Sequence, residues 1–467
     1  MLIALVLLAA LAVVVASALA LGPSPEARLA TTTPGIGQEV PVQAVASEPW
    51  RGLETVRVLL RQGEREEVVA EQTFTPRPLW QVWGERTPEA TLDLQVGKKH
   101  QPWLANGEAT LVVEATRPGG ILRQPAPVRQ EVTLPVRVTP PTLHVLSTQT
   151  YAAQGGCEAV VYRVGEGAAS HGVRAGEYFF PGQPLPGQEG AFFSLFGVPW
   201  DMETPEAIRL VAVDELGNEA QAGFIDRFTP RRVAQGRIEL ADPFLQKVVS
   251  EIASQTPGYG DEESLLASYL EINGALREEN AEQLERIGSA SRAEFLWREA
   301  FLPFPGGQVM EAFAVRRSYR YEGEEVDQQT HLGFDLASTQ QAPVPASNAG
   351  VVAFAGYLGI YGNTVIVDHG YGLMTLYAHL SSIDVPEGQA VARGQSLGRT
   401  GATGLAAGDH LHFATLLRGL PVTPVEWWDG HWIQDRLARK LGAAIPFGAA
   451  APAAGAGTQA ERAGRTQ

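Results

Sequence analysis

At 467 residues the chain is too long for one ordinary hydrophobic core, and 45% apolar with 19% charged residues is the balance of a folded globular protein. A formal net charge of -16 argues against a nucleic-acid partner, because a phosphate backbone needs a basic face. One cysteine, Cys157, excludes an intramolecular disulfide and a cysteine-based zinc knuckle, so any metal must be held by histidine and carboxylate.

The chain reads as a mostly β, multidomain protein, because 50 glycines and 32 prolines favour turns and short strands. From Met1 to Leu21 it carries no charge. Such a run makes a helix of about 30 Å, enough to cross a bilayer. Two readings of residues 1–22 compete. Ala18-Leu19-Ala20 suits a signal-peptide cleavage site, but the basic start of a signal peptide is missing. The unbroken length favours an uncleaved signal anchor in the inner membrane. Either reading exports the rest of the chain to the cell envelope, periplasm or cell surface.

Residues 23–139 alternate apolar and polar side chains in short runs, as in Thr55–Leu60, Ala90–Val96, Ala109–Val113 and Val132–Val136. The expectation is an immunoglobulin-like β-sandwich. Thr139-Pro140-Pro141-Thr142 is a stiff boundary, and residues 140–236 read as a second sandwich-like module, with a strand over Ile208–Val213 and a turn over Asp214–Asn218. Residues 237–300 switch to helical spacing. Asp242 and Pro243 suit a helix start, Phe244, Leu245, Val248, Val249 and Ile252 recur on one face, and further stretches carry Leu265, Leu266, Tyr269 and Leu270, then Leu276, Leu284 and Ile287. Between Glu239 and Glu299 stand 13 acidic and 5 basic residues, half of the net charge. A charge run is usually a solvated helix face. Its position also raises a sharper expectation, that these helices sit beside a catalytic cleft and control access to it. Residues 301–435 return to strands, and residues 436–467 read as a short helix over Leu437–Leu441 followed by a largely disordered Ala/Gly-rich tail.

Of nine histidines, six (His331, His369, His379, His410, His412 and His431) lie in the last third. His331 and Asp335 stand four apart, and His410 and His412 two apart, which on a strand places both on one face with Leu411 and Phe413 turned to the core. A catalytic zinc needs three nitrogen or oxygen ligands and one open position for water, and nearby histidines can handle the proton and the developing oxyanion. Spacing alone does not say which histidine does which. His369 reads as a turn histidine bonded to backbone, Asn363 as a turn residue beside Gly362, and Trp427, Trp428, His431 and Trp432 as a packed cover in preference to a sugar-stacking surface. Cys157 reads as an idle buried thiol.

Taken in order, His331-Leu332-Gly333-Phe334-Asp335, Gly362-Asn363, His369, Tyr377-Ala378-His379-Leu380, Val391-Ala392-Arg393-Gly394-Gln395-Ser396-Leu397-Gly398 and Thr403-Gly404 through His410-Leu411-His412-Phe413 form a connected pattern. It resembles the lysostaphin-type, or LytM-like, zinc metallopeptidases that hydrolyse peptidoglycan cross-links, over about residues 311–435. The resemblance implies one zinc ion held by His331, Asp335 and His412, with His379 and His410 as the catalytic histidines. All five positions are intact, whereas relatives lacking them act as non-enzymatic activators of other wall hydrolases. The chain departs from the pattern at Leu405-Ala406-Ala407, where many relatives have Ser or Thr, and at Ala414, where many have Glu.

The implied function is zinc-dependent hydrolysis of peptide cross-links in bacterial peptidoglycan during wall remodelling. Two rivals remain at this point: a regulator of other wall hydrolases with a silent peptidase domain, and a zinc peptidase acting on peptides outside the wall.

Overall fold

A computed structural model describes residues 2–20, 24–77, 84–119 and 125–448 of the chain, which is built mostly of β-strands. It falls into two compact units. One comprises Met1–Thr142 with Gly165–Ser170 and Ala212–Ala220, and the other Leu143–Val164, His171–Val211 and Gln221–Gln467. The expected count of separate domains is thus not what the structure has.

In the first unit, strands Glu26–Thr31, Val40–Ser47 and Glu89–Val96 form one antiparallel sheet. Strands Arg65–Thr73, Thr55–Gln62, Gly107–Thr116 and Val128–Val136 form a second. Alternation decides which side is buried: Val40, Val42, Ala44 and Ala46 turn inward, while Pro41 and Gln43 face solvent. The inward side chains meet Val56, Val58, Leu60, Leu111 and Val113 of the other sheet in a single core.

Leu2–Ala20 forms a helix whose described side chains, from Ile3 to Ala16, are exposed. Among the described residues no helix is long and apolar enough to cross a membrane, so the membrane-spanning helix expected over residues 1–22 is not borne out. The side chains of the cleavage site expected at Ala18-Leu19-Ala20 lie outside the described residues.

In the second unit, Cys157–Val164 pairs antiparallel with Ala191–Gly197. Their buried Tyr162, Phe193 and Phe196 share one core with Trp297, Phe301, Leu373, Leu417 and Trp427 from much later in the chain. That shared core is why the second β region does not stand as a module of its own. Residues 433–445 continue as short helical turns, with Leu437, Leu441 and Ile445 buried in the same core. The tail expected from Ala449 lies outside the described residues.

The helical segment begins with Asp242–Gln255, which buries Leu245, Val248, Val249 and Ile252. Asp242 does not cap this helix. Ala241 holds the cap position, and the Asp242 carboxylate instead accepts a hydrogen bond from the Tyr321 hydroxyl at 2.8 Å. The two later stretches join into one continuous run: Leu265–Glu271, capped by Ser264, passes through a π-helical turn over Ile272–Leu276 into Arg277–Ser289. The apolar face packs on Tyr319 and Ile360, so segment and catalytic region share a core. Strand Gln235–Leu240 adds to this union by pairing parallel with Val315–Tyr321, which pairs in turn with Glu324–His331.

The main sheet runs Gln308–Glu311, Phe334–Ala337, Leu411–Leu417, Leu373–Ala378, Asn363–Asp368, Gly350–Tyr357, Ala390–Val391, all antiparallel. Leu373–Ala378 and Leu411–Leu417 are buried along their whole length. The centre of this sheet is the rigid base on which the candidate site stands.

Candidate active site

Strand register brings the pieces together. Phe334–Ala337 pairs with Leu411–Leu417 so that Asp335 lies directly opposite His412. Because side chains alternate, Phe334, Leu336, Leu411 and Phe413 turn into the core while Asp335 and His412 share the other face. His331 arrives from a different sheet, as the last residue of Glu324–His331. The chain then crosses at Leu332-Gly333. A Cβ on Gly333 would stand 2.5 Å from both Cε1 and Nε2 of His412, so only glycine leaves room for that ring.

The result is a triangle of three ligand atoms. His331 Nε2 is 3.0 Å from Asp335 Oδ1 and 3.1 Å from His412 Nδ1, and His412 Nδ1 is 2.9 Å from Asp335 Oδ1. Four-coordinate zinc with bonds near 2.05 Å has ligands about 3.3 Å apart, so this donor set fits a small divalent cation with little adjustment. It is also the three-residue His/carboxylate cluster with metal-ligand geometry found among the described residues.

Two of the corners, Asp335 and His331, are held from behind. Arg317 donates from Nη2 to Asp335 Oδ2 at 2.8 Å and from Nε to Glu311 Oε2 at 2.6 Å. Glu311 Oε2 also lies 3.0 Å from His331 Nδ1, and the Ala312 carbonyl 3.2 Å. That assigns the His331 ring proton to Nδ1 and leaves Nε2 as a lone pair facing the triangle. Burial pushes the Asp335 carboxyl up, but the imidazoles of His331, His410 and His412 around it outweigh burial and hold it far below the usual carboxylate range. Burial also depresses His412, to about 4, so its ring is neutral near pH 7.

His379 and His410 stand beside the triangle, their rings 4.9 Å apart, and His379 is 5.7 Å from the His412 ring. Both are anchored through Nδ1, to the carbonyls of Thr403 and Gly408 respectively, at 2.8 Å each. Burial keeps the His379 ring neutral, with Nε2 toward the cavity, whereas at His410 the lowering by burial is outweighed by the Asp335 carboxylate, which raises it. His410 Nε2 lies 3.6 Å from Asp335 Oδ1. His379 has φ of 60°, a left-handed conformation uncommon outside glycine. The surroundings over-determine it: its N–H bonds the Tyr361 carbonyl at 2.9 Å, and the next residue's N–H bonds the Asn363 carbonyl at 3.0 Å. Asn363 adds a bond from Nδ2 to the Leu380 carbonyl at 3.1 Å and donates its own N–H to Thr403 Oγ1 at 3.0 Å. A turn residue in the sequence reading, Asn363 therefore also braces the loop that carries His379.

The sequence model of Peptidase family M23 matches residues 329–424, the stretch that contains all five of these residues. These residues form an M23 peptidase domain. Over 95 residues the chain is 46% identical to "DD-carboxypeptidase/endopeptidase Mpg" of Neisseria meningitidis, covering 20% of this chain and 22% of that protein. It is 32% identical over 161 residues to "Peptidoglycan DD-endopeptidase ShyA" of Vibrio cholerae, covering 34% of each. The chain thus matches from about a fifth to a third of the length of these curated relatives. Among solved structures it is similar to the catalytic domain of lysostaphin from Staphylococcus simulans, at 22% identity and TM-score 0.21, covering 30% of this chain and 94% of that one.

The M23 site opens into a cavity of about 400 Å³. Phe244, Tyr269, Arg277 and Glu285 of the helical segment line it together with the five site residues. The segment is therefore beside the cleft, as its position in the sequence suggested. Leu405, Ala406 and Ala407, one departure from the family pattern, line the same cavity. Ala414, the other, is buried in a core that also contains Leu284 of the segment.

Glu311, Arg317 and Tyr361 belong to the site and were not singled out in the sequence. Glu311 and Arg317 precede the matched region, and a lone Glu and Arg among many charged residues give no periodic signal. His369 lies apart from the triangle, fully buried, with Nδ1 bonded to the Ala349 carbonyl at 2.7 Å and Nε2 to Thr375 Oγ1 at 2.8 Å. Trp427 is buried against Trp297 and Phe301, and Trp428 packs edge-on to Phe334 and beside Phe413, the core partners of Asp335 and His412. Cys157 is buried, and burial pushes its thiol well above the ordinary range.

Proposed function

We propose that this chain is a zinc-dependent endopeptidase of the bacterial cell envelope that hydrolyses peptide cross-links in peptidoglycan. The observation that carries the reading is the triangle of His331, Asp335 and His412 with the imidazoles of His379 and His410 beside it. The relatives described in their names as peptidoglycan DD-endopeptidases support the wall as substrate and the envelope as location.

In this reading His331 Nε2, Asp335 Oδ1 and His412 Nδ1 hold one zinc ion. The chemistry such an ion supplies when bound is Lewis-acid polarisation of the scissile carbonyl and acidification of water. The rest falls to side chains. Glu311 and Arg317 fix the orientation of His331 and Asp335. His379 and His410, each with Nδ1–H on a backbone carbonyl, present Nε2 to take a proton from the attacking water, and when protonated donate to the oxygen of the tetrahedral intermediate or to the leaving amine. The left-handed backbone at His379 is the strain that aims its ring.

Intact ligands favour this reading over a silent regulatory domain. Elemental analysis of the purified chain tests it. One zinc per chain is expected, lost in Asp335→Ala, and a wild-type chain that takes up no zinc at micromolar concentration would remove the basis of the proposal.

A further inference from the structure

Two arginines line the catalytic cavity, and they differ in one respect. Arg317 is committed to Asp335 and Glu311. Arg277, on the helical segment, has no carboxylate within 4.0 Å among the described residues. Its hydrogen bonds among the described residues both go to Asn273: Nη2 donates to Oδ1 at 2.6 Å and Nε to the backbone carbonyl at 3.1 Å. Nη1 has no partner among the described residues.

This arginine is held in place, not loosely solvated. Asn273 is fully buried, and its own Nδ2 donates to Asp327 Oδ2 at 2.6 Å, on the strand that ends at His331. Asn273 sits within the π-helical turn Ile272–Leu276, directly before Arg277. Such turns shift helix register and occur often at functional sites. Here the turn lets Asn273 serve as a rigid bracket between the catalytic strand and a guanidinium in the cavity. The neighbouring lining is largely apolar, with Phe244, Tyr269, Leu405 and Ala406. A half-buried cation in such a setting favours an anionic guest over water.

We propose that Arg277 is a specificity-determining residue that recognises a free carboxylate of the peptide substrate. The proposal rests on the peptidase reading above, because wall peptides carry carboxylates at their termini and on side chains. Arg277 comes from outside the matched M23 region, so the helical segment contributes to substrate recognition in addition to forming a wall of the cleft. Its fork of donors suits a carboxylate bidentately, which lysine cannot reproduce.

The test is equilibrium binding by titration calorimetry to the full chain carrying His410→Ala, so that substrate is not consumed. Three cross-linked wall peptides serve as probes: one with all carboxylates free, one amidated only at its terminal carboxylates, and one amidated only on its side chains. One amidated form is expected to bind at least about tenfold more weakly than the free form, the loss typical of a charged hydrogen bond, and it identifies the group read. Adding Arg277→Met is expected to abolish that discrimination, and Arg277→Lys to restore only part of it. Discrimination that persists in Arg277→Met, tighter binding in that variant, or no effect of either amidation in the parent would each overturn the proposal. In the His410-intact chain, Arg277→Met is expected to raise KM at least about tenfold with a smaller change in kcat. A chain that binds and discriminates these peptides but never cleaves them would contradict the endopeptidase reading and leave the carboxylate site standing.

Discussion

Gly333→Ala separates the site from the fold. Its φ is not in the left-handed region, so alanine is acceptable to the backbone and the effect is steric. The new methyl group would stand 2.5 Å from Cε1 and Nε2 of His412 and 2.9 Å from the Phe413 carbonyl. Ordinary contact requires a retreat of about 1 Å, and the ring has little freedom, since Leu411 and Phe413 on either side are buried. Crowding of this kind costs about 1–3 kcal/mol of stability, which a domain of this size tolerates. Metal ligation accepts only about 0.2 Å of displacement, so the same shift takes His412 out of range. The expected result is a folded protein with a modestly lower Tm. Its zinc affinity, measured by competition with a chromogenic chelator, should fall at least about 100-fold, with turnover falling by a similar factor. Zinc affinity within threefold of wild type would refute the claim that this glycine exists to seat His412.

Three further outcomes follow from the packing and charges. Glu311→Gln removes the carboxylate behind His331 Nδ1 and should lower zinc affinity about 10- to 100-fold with the fold intact, and an unchanged affinity would show that the Ala312 carbonyl alone orients the ring. Glu426, which accepts the Cys157 N–H at 2.7 Å, is pushed up to about 8 by burial. Since its native pKa exceeds the unfolded one, the stability it contributes is full below about pH 4.5 and is lost as pH rises through 8. Glu426→Gln should therefore be more stable than wild type in urea by about 1–3 kcal/mol at pH 8, with the difference closing toward pH 4.5, and a difference independent of pH would contradict the assignment. A chain beginning at Phe301 would bare Tyr319 and Ile360, which the helical segment buries, and should aggregate or melt well below the full chain. A soluble fragment that cleaves wall faster than the full chain would instead make the segment a removable restraint.

How far the sequence could be read depends on the range of the signal. Apolar alternation marked Thr55–Gln62 and Glu89–Val96, because a half-buried strand writes its burial into every second residue. Helical spacing likewise found the buried face of Asp242–Gln255. The same local reasoning misplaced the role of Asp242, since nothing nearby in sequence announces Tyr321 as its partner. It also divided the second unit too finely, because the core joining Phe193 to Trp297 and Trp427 is made by residues far apart in the chain. At the site, His331, Asp335, His379, His410 and His412 were legible as a motif in order, and the structure brings all five together. Glu311, Arg317 and Arg277 were not, because their part depends on burial and on cross-strand neighbours that no local pattern records.

The central claim is a metal-assisted cut at a peptide bond of the wall. The most direct test incubates the purified wild-type chain, beside His410→Ala, with peptidoglycan and identifies the released fragments by mass. The expected result is release of muropeptides cut within their peptide cross-links by wild type alone, abolished by chelator and restored by zinc. Zinc-loaded wild type that releases no fragment, or release that continues undiminished in His410→Ala, would contradict the account.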